Sequence, residues 1–307
     1  MSILKRHAGR FRPPGPPVRA AIMLCLAGAT LVLAQDKPHG GDAVLARVAI
    51  DAHNKVRSEA KLPPVESDPV LEAAALAQAK DMAARGVMTH EGGDGSKPSE
   101  RLDRLNYDYQ TMAENVARGQ PTVESVMNGW MNSPPHRKNI LGPFERVGIA
   151  VARDADGTPF WCADFATPWP SLEPAKAAAE VAERINTERK RAGKHTLHVE
   201  KRLTAVAGSE SRAMADASTL DEKPSRGDEF GRSLKESGYR FTKVVELAAA
   251  GPPLPADVVA SWVKEAPDNQ NLFGEFTDMG VGYTRGKKGA PYWCLVLARP
   301  SRLNPAR

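Results

Sequence analysis

Apolar residues recur every three or four positions in three stretches of the chain's first half, and then the period shortens to two. Leu45, Val48, Ala49, Ala52 and Val56 predict a helix opening at Asp42 as its cap. Leu71, Ala74, Ala75 and Met82 predict a second, with Asp68 before it, Pro69 in its first turn and Gly86 as its stop. Val123, Val126, Met127 and Trp130 fall on one stripe of a third, which Thr122 can cap. Beyond Pro134 and Pro135, Val147 to Arg153 and Pro159 to Ala166 read as strands joined by Asp154-Ala155-Asp156-Gly157, a hairpin. Helices first and a strand pair last predict an α+β domain in which helices cover a sheet.

The same plan then occurs again. Trp130 and Trp262, Cys162 and Cys294, Glu114 and Glu246, and Asn54 and Asn186 all stand 132 residues apart, and 126–166 aligns without a gap on 258–298. A period of that length is a duplicated domain rather than a solenoid repeat. The middle of the second copy is less regular: Tyr107 matches Tyr239 at 132, whereas Lys97-Pro98-Ser99 matches Lys223-Pro224-Ser225 at 126. The pairing of Glu222 with His90 is therefore provisional.

Ahead of the first copy, Lys5, Arg6, Arg10, Arg12 and Arg19 precede an apolar run from Ala20 to Ala34. The run is short of the roughly 20 residues of a membrane span, and Val32 and Ala34 form a small-residue cleavage pattern, so the segment reads as a secretory leader. The expected organisation is a leader over 1–34, a flexible tail over 35–41, a first domain over 42–167, a Pro-rich linker over 168–174, a second domain over 175–300 and a tail over 301–307. Each domain is long enough for its own core. Of 42 basic residues five lie in the leader, which has no acidic residue, so the remainder carries 37 basic against 37 acidic groups. That balance gives no support for a nucleic-acid partner. Removal of the leader leaves Cys162 and Cys294, one per copy; an exported protein could bridge them, but equivalent points of two domains need not approach the ~6 Å a disulfide requires, and two buried thiols are the favoured reading.

Shared positions are mostly tryptophan, glycine and apolar residues, as a common framework requires. His90, Glu114 and His136 stand apart: imidazoles bind zinc or copper through neutral nitrogens, and a carboxylate can be a third ligand or a base for bound water. Their spacing matches no local metal motif. The duplication singles them out, because His136 becomes Asp268 and no histidine occupies the region matching His90, although Glu114 persists as Glu246.

The Glu114-Asn115-Val116-Ala117-Arg118-Gly119 segment, the stretch from Trp130 through His136 to Leu141, the helix bearing Asn54 and Arg57, and the run Gly148 to Ala166 together resemble the CAP superfamily of cysteine-rich secretory, antigen 5 and pathogenesis-related proteins, also called SCP-like domains, in its bacterial secreted form. The resemblance covers the first copy and, more faintly, the second. It implies a three-layer α-β-α sandwich with an antiparallel sheet, and a cleft where two histidines and acidic residues converge and in some members hold zinc or another divalent cation. By position those residues are His90, Glu114 and His136. Eukaryotic members carry a further glutamate where this chain has Ser133, so the site here is a three-residue version. The second copy, with Glu246, Asp268 and provisionally Glu222, keeps only oxygen ligands, which suit calcium or magnesium, and reads as a degenerate, structural or partner-binding domain.

Three functions follow as expectations. The first is an exported module, periplasmic, cell-surface or extracellular, that binds an envelope, extracellular or lipid ligand in the first cleft, with no membrane span once the leader is removed. The second is a divalent-metal-assisted hydrolase in the first domain, and the third a scaffold with neither cleft active. No nucleophile elbow, HExxH helix or Ser-His-Asp grouping can be read from the chain, and whether it is an enzyme stays open.

Overall fold

The computed structural model describes residues 40–218, 224–266 and 268–301. The leader, most of the N-terminal tail, Glu222 and residues 302–307 lie outside the described residues. The first repeat runs α1 (Gly40–Glu59), β1 (Glu66–Ser67), α2 (Pro69–Arg85), α3 (Pro98–Arg104), β2 (Tyr109–Arg118), α4 (Val123–Asn132), α5 (Pro134–Ile140), β3 (Arg146–Arg153) and β4 (Pro159–Pro168). The second runs α6 (Pro174–Arg191), β5 (His198–Val199), α7 (Lys201–Ala217), α8 (Pro224–Glu236), β6 (Phe241–Ala250), α9 (Pro255–Lys264), α10 (Asp268–Leu272), β7 (Asp278–Arg285) and β8 (Pro291–Pro300). Each builds its own four-stranded sheet, in the orders β1-β3-β4-β2 and β5-β7-β8-β6. The long strands pair antiparallel, as expected, but the two-residue β1 and β5 add a parallel edge to each sheet.

Local chemistry explains the elements the period predicts. Asp68 accepts from the amides of Val70 and Leu71, and Gly86, at φ 65°, closes α2 in the left-handed conformation. Thr122 caps α4, whose Val123, Val126, Met127 and Trp130 are all buried. One expectation shifts: α1 begins at Gly40, so Asp42 lies in its first turn, where it accepts from Arg153 at 3.3 Å instead of capping. The elements without a visible period are α3 and α5, each only seven residues long, and β2, whose last buried residues run consecutively instead of alternating.

Successive residues of each strand face opposite layers. In the first repeat, Ile149, Val151, Trp161, Ala163 and Phe165 pack with α1 and α4, around Trp130. Ala150, Ala152, Phe160 and Cys162 pack with Ala75, Ala79 and Met82 of α2 on the other side. Fully burying one such large apolar side chain contributes about 1.5–3 kcal/mol. Helix α2 lies so close to the sheet that a Cβ at Gly148 would stand 2.0 Å from the Leu71 carbonyl carbon, and one at Gly280 would stand 2.1 Å from that of Leu203. Only glycine allows that approach.

Two buried arginines repeat the same tie. Arg57 donates to the carbonyls of Pro63, Ile140, Gly142 and Phe144 at 2.8, 2.9, 2.8 and 3.1 Å. Arg189 does so to His195, Leu272, Gly274 and Phe276 at 2.8, 2.6, 3.1 and 3.5 Å. The repeats differ in the number of residues between their second and third helices, 86–97 in the first and only 218–223 in the second. Helix α3 and the longer α8 both open on the proline of the Lys-Pro-Ser match, so the register slips by six residues there, and α8 restores it before Tyr239. The longer segment, in the first repeat, is the one that carries His90. Cys162 and Cys294 are buried free thiols, in line with the favoured reading and not with a bridge.

Candidate functional site

Glu114 of β2 lies directly across from Asp164 of β4, and Asp164 lies across from Gly148 of β3. Cross-strand neighbours share a face, so this row sits under the α2 layer. Strand β2 is the outer strand, and the loop ahead of α3 reaches its rim. Glu114 accepts there from His90 Nδ1 at 2.7 Å on Oε1 and from the Arg101 guanidinium on Oε2. Arg101 also donates to the carbonyls of His90 and Ser96 at 3.0 and 3.1 Å, pinning the loop to α3. Cys162 Sγ lies 3.4 Å from Glu114 Oε2. From the other layer, Asn115 Nδ2 donates to the His136 carbonyl at 3.1 Å, and Asn139 Nδ2 donates to Asn115 Oδ1 at 2.8 Å, holding α5 against β2.

Burial divides this centre into an inner and an outer part. The side chain of Glu114 is 2% exposed and that of Arg101 10%, while that of His90 is 54% exposed. Asp164 is buried and its Oδ1 has no partner, nor has Arg101 Nε. An unsatisfied buried polar atom costs about 1–3 kcal/mol. Desolvation, reinforced by the Glu114 charge, pushes the Asp164 carboxyl well above the usual range, so Asp164 is held neutral. Burial likewise pushes the Cys162 thiol up and makes it a poor nucleophile. The hydrogen bond that His90 donates to Glu114 raises the His90 pKa. Burial, and then the charge of His90, lower that of His136, which favours its neutral imidazole.

Of the residues expected from sequence, His90 and Glu114 are in direct contact, and His136 stands near enough to feel the charge of His90. Among the described residues, the group whose ligand atoms all lie within 4.8 Å of one another is a different one, Glu114, Cys162 and Asp164. Both Glu114 oxygens are already engaged, so the carboxylate fits the orienting partner of His90 better than a third metal ligand. Held at Nδ1, His90 keeps Nε2 for a ligand or cation, the arrangement of carboxylate-supported histidine ligands. Arg101, Asp164 and Cys162 were not expected. A signal for Asp164 exists: the aligned strand of the second repeat has Val296, so a carboxyl stands where the framework asks for an apolar residue.

In the second repeat, Cys294 Sγ lies 3.4 Å from Glu246 Oε1, the counterpart of the thiol contact in the first. Position 233, opposite Arg101 at the common offset, is a serine that donates to Glu210 at 3.0 Å. Asp268 opens α10, where His136 lies in α5.

Two tandem α-β-α sandwiches, the first with a polar centre at the rim of its outer strand, define a class of duplicated α+β domain. The model of the cysteine-rich secretory protein family, CAP, matches residues 50–165 and again residues 182–297, and the chain belongs to that family. It is 35% identical over 117 residues to the uncharacterized protein YkwD of Bacillus subtilis, covering 38% of this chain and 44% of that one. It is 27% identical over 105 residues to the uncharacterized membrane protein YlbC of the same organism, covering 34% and 30%. The chain thus spans less than half the length of either curated relative. Among solved structures, an extracellular protein containing an SCP domain from Bacillus anthracis is 26% identical with a TM-score of 0.38, each chain covered over 41%. Na-ASP-1 is 8% identical with a TM-score of 0.44, covering 85% of this chain and 90% of that one.

Proposed function

We propose that this chain is an exported binding module in which the first-repeat cleft, with His90 and His136 at its rim and Glu114 behind them, takes an envelope, extracellular or lipid ligand. The observation that carries the reading is the state of Glu114. Both its oxygens accept, one from His90 and one from Arg101, and its side chain is only 2% exposed, so the carboxylate is withdrawn from water and turned to holding its partners. A centre so arranged orients a half-exposed histidine, and orientation is what recognition needs. Export rests on the leader-like segment. Among the described residues no helix is long and apolar enough to cross a membrane.

The test presents immobilised full-length chain with phosphatidylglycerol vesicles and, separately, with peptidoglycan fragments. Retention of at least one is expected, reduced by His136→Ala at unchanged thermal midpoint. Retention that is unaffected by His136→Ala, or turnover of ester or amide substrates that Glu114→Gln abolishes, overturns it.

One observation favours metal-assisted hydrolysis as a second reading. His136 tends to neutrality, and Glu114 on Nδ1 of His90 fixes the tautomer that offers Nε2, so both imidazoles suit zinc or another divalent cation. Such a cation would supply Lewis acidity while the residues of this chain orient and support it. Elemental analysis should then find about one zinc per chain, lost in the His90→Ala, His136→Ala double variant. Metal-free protein at micromolar zinc excludes this reading.

A further inference from the structure

The turn between β7 and β8 in the second repeat makes a contact that its counterpart in the first does not. Arg285 Nη2 donates to Asp108 Oδ2 at 3.0 Å, and Lys288 Nζ donates to Asp103 Oδ2 at 2.8 Å. Both acceptors belong to the first repeat, Asp103 inside α3 and Asp108 just before β2. Beside the Arg285–Asp108 bridge Gly289 is buried, although it sits at the tip of a turn. A Cβ on it would lie 2.6 Å from Trp169 Cδ1 and 2.8 Å from Asp108 Cβ. At the same place in the first repeat, Gly157 has nearly the same backbone, φ 79° against 78°, yet is exposed with nothing within 4 Å. The sequences of the turns differ to match. Asp154-Ala155-Asp156-Gly157 is acidic, and Gly286-Lys287-Lys288-Gly289 is basic, facing two aspartates.

What the turn holds is α3. That helix is seven residues long, too short to be stable by itself, and Asp103 lies two positions from Arg101. Arg101 links Glu114 to the His90 and Ser96 carbonyls, so its reach is set by where α3 sits. We propose that the β7–β8 turn of the second repeat is a positioning element for the first: Arg285, Lys288 and the close seat of Gly289 on Trp169 hold α3 in place and thereby keep Arg101 on Glu114. This rests on the reading of the Glu114 centre as the cleft, and it gives the degenerate repeat a task that needs no ligand of its own. Single exposed ion pairs contribute little, but two pairs flanking a packed glycine form one contiguous patch whose reversal adds repulsion to the loss.

The test uses the full chain and no ligand, so it stands apart from the binding reading. In the Arg285→Glu, Lys288→Glu variant, hydrogen exchange of the α3 amides is expected to rise about tenfold. The Arg101 Nε–H and Trp169 indole resonances should shift with it, while α9 and β8 amides keep their protection. Adding Asp103→Lys and Asp108→Lys to that variant restores opposite charges and should return α3 exchange toward wild type, a recovery that a merely loosened fold would not show. An indole resonance of Trp169 that does not move overturns the proposal, because the charges then do not seat the turn. Moved Trp169 with unchanged α3 exchange overturns it as well, because α3 then holds itself. Faster exchange without recovery in the fourfold variant does the same.

Discussion

Along the sheet row where the first repeat sets Glu114, Asp164 and Gly148 side by side, the second sets Glu246, Val296 and Gly280. The glycine is kept in both, because α2 and α7 come too close to the sheet for any side chain. The glutamate is kept in both, with a cysteine thiol beside it in each. The second carboxyl, Asp164, stands in the first repeat where the second has Val296, and the twelve-residue segment bearing His90 and the Arg101 contact to Glu114 belong to the first repeat. Framework interactions thus recur at 132 residues with their partners, as the two arginine ties do, whereas the carboxyl beside Glu114 is replaced by the apolar Val296 beside Glu246. The second buried carboxyl brings desolvation and an unpaired Asp164 oxygen with it, a cost that packing does not require and that Val296 avoids at the same place in the second repeat.

The largest effects should be symmetric. Arg57→Met and Arg189→Met each remove a buried cation that serves four carbonyls, so each should destabilise its own repeat by about 3 kcal/mol or more, read by urea unfolding with exchange assigned to each repeat. A large loss in one repeat and none in the other would break the equivalence of the framework.

The next is asymmetric and depends on pH. His53 is buried against Trp130 and Phe165 with its Nε2 unpartnered, and burial lowers its pKa to about 4. A folded pKa below the unfolded value of 6.5 means that the unfolded chain binds the extra proton first, so stability is lost as pH falls from about 6.5 towards 4. The loss should reach about 3 kcal/mol by the bottom of that window. The second repeat has Ile185 at this position. His53→Ile should remove the loss, and the difference between variant and wild type isolates His53. The raised groups Asp164 and His90 act in the opposite sense, stabilising at low pH and less so as pH rises, but they are present in both proteins. An unchanged acid response in His53→Ile would mean that His53 is not held neutral.

Asp164→Val imports the residue of the second repeat into the first. Deleting a desolvated acid should stabilise the first repeat by about 1–2 kcal/mol near neutral pH, seen as a raised denaturation midpoint. Destabilisation would show that the carboxyl is needed by Glu114 and Arg101. The smallest expected difference compares Gly289→Ala with Gly157→Ala. Both change a left-handed glycine, so the strain cancels, and the excess loss at 289, about 1 kcal/mol, measures the seat on Trp169.

Much of this was legible without coordinates. The helical stripes gave α1, α2 and α4, the change of period gave the β3–β4 hairpin, and the offset of 132 gave two domains of one family. Helix α3 and strand β2 were not legible, since seven residues are too few for a period and β2 buries consecutive residues near its end. Local pattern reports which face of an element is apolar. It carries no record of which strand that element will pair with.

By itself, therefore, the sequence determined the framework: which residues are apolar, where turns and caps fall, and that the same domain is encoded twice with His90 and His136 present in the first copy and replaced in the second. The tertiary structure alone decided the chemistry. Pairing β2 with β4 placed Glu114 against Asp164 across 50 residues of chain, and folding the loop before α3 brought Arg101 and His90 to the same carboxylate. Docking across the repeats then set Lys288 on Asp103, 185 residues away. These contacts depend on register and on desolvation, and both arise only when distant segments close around one another.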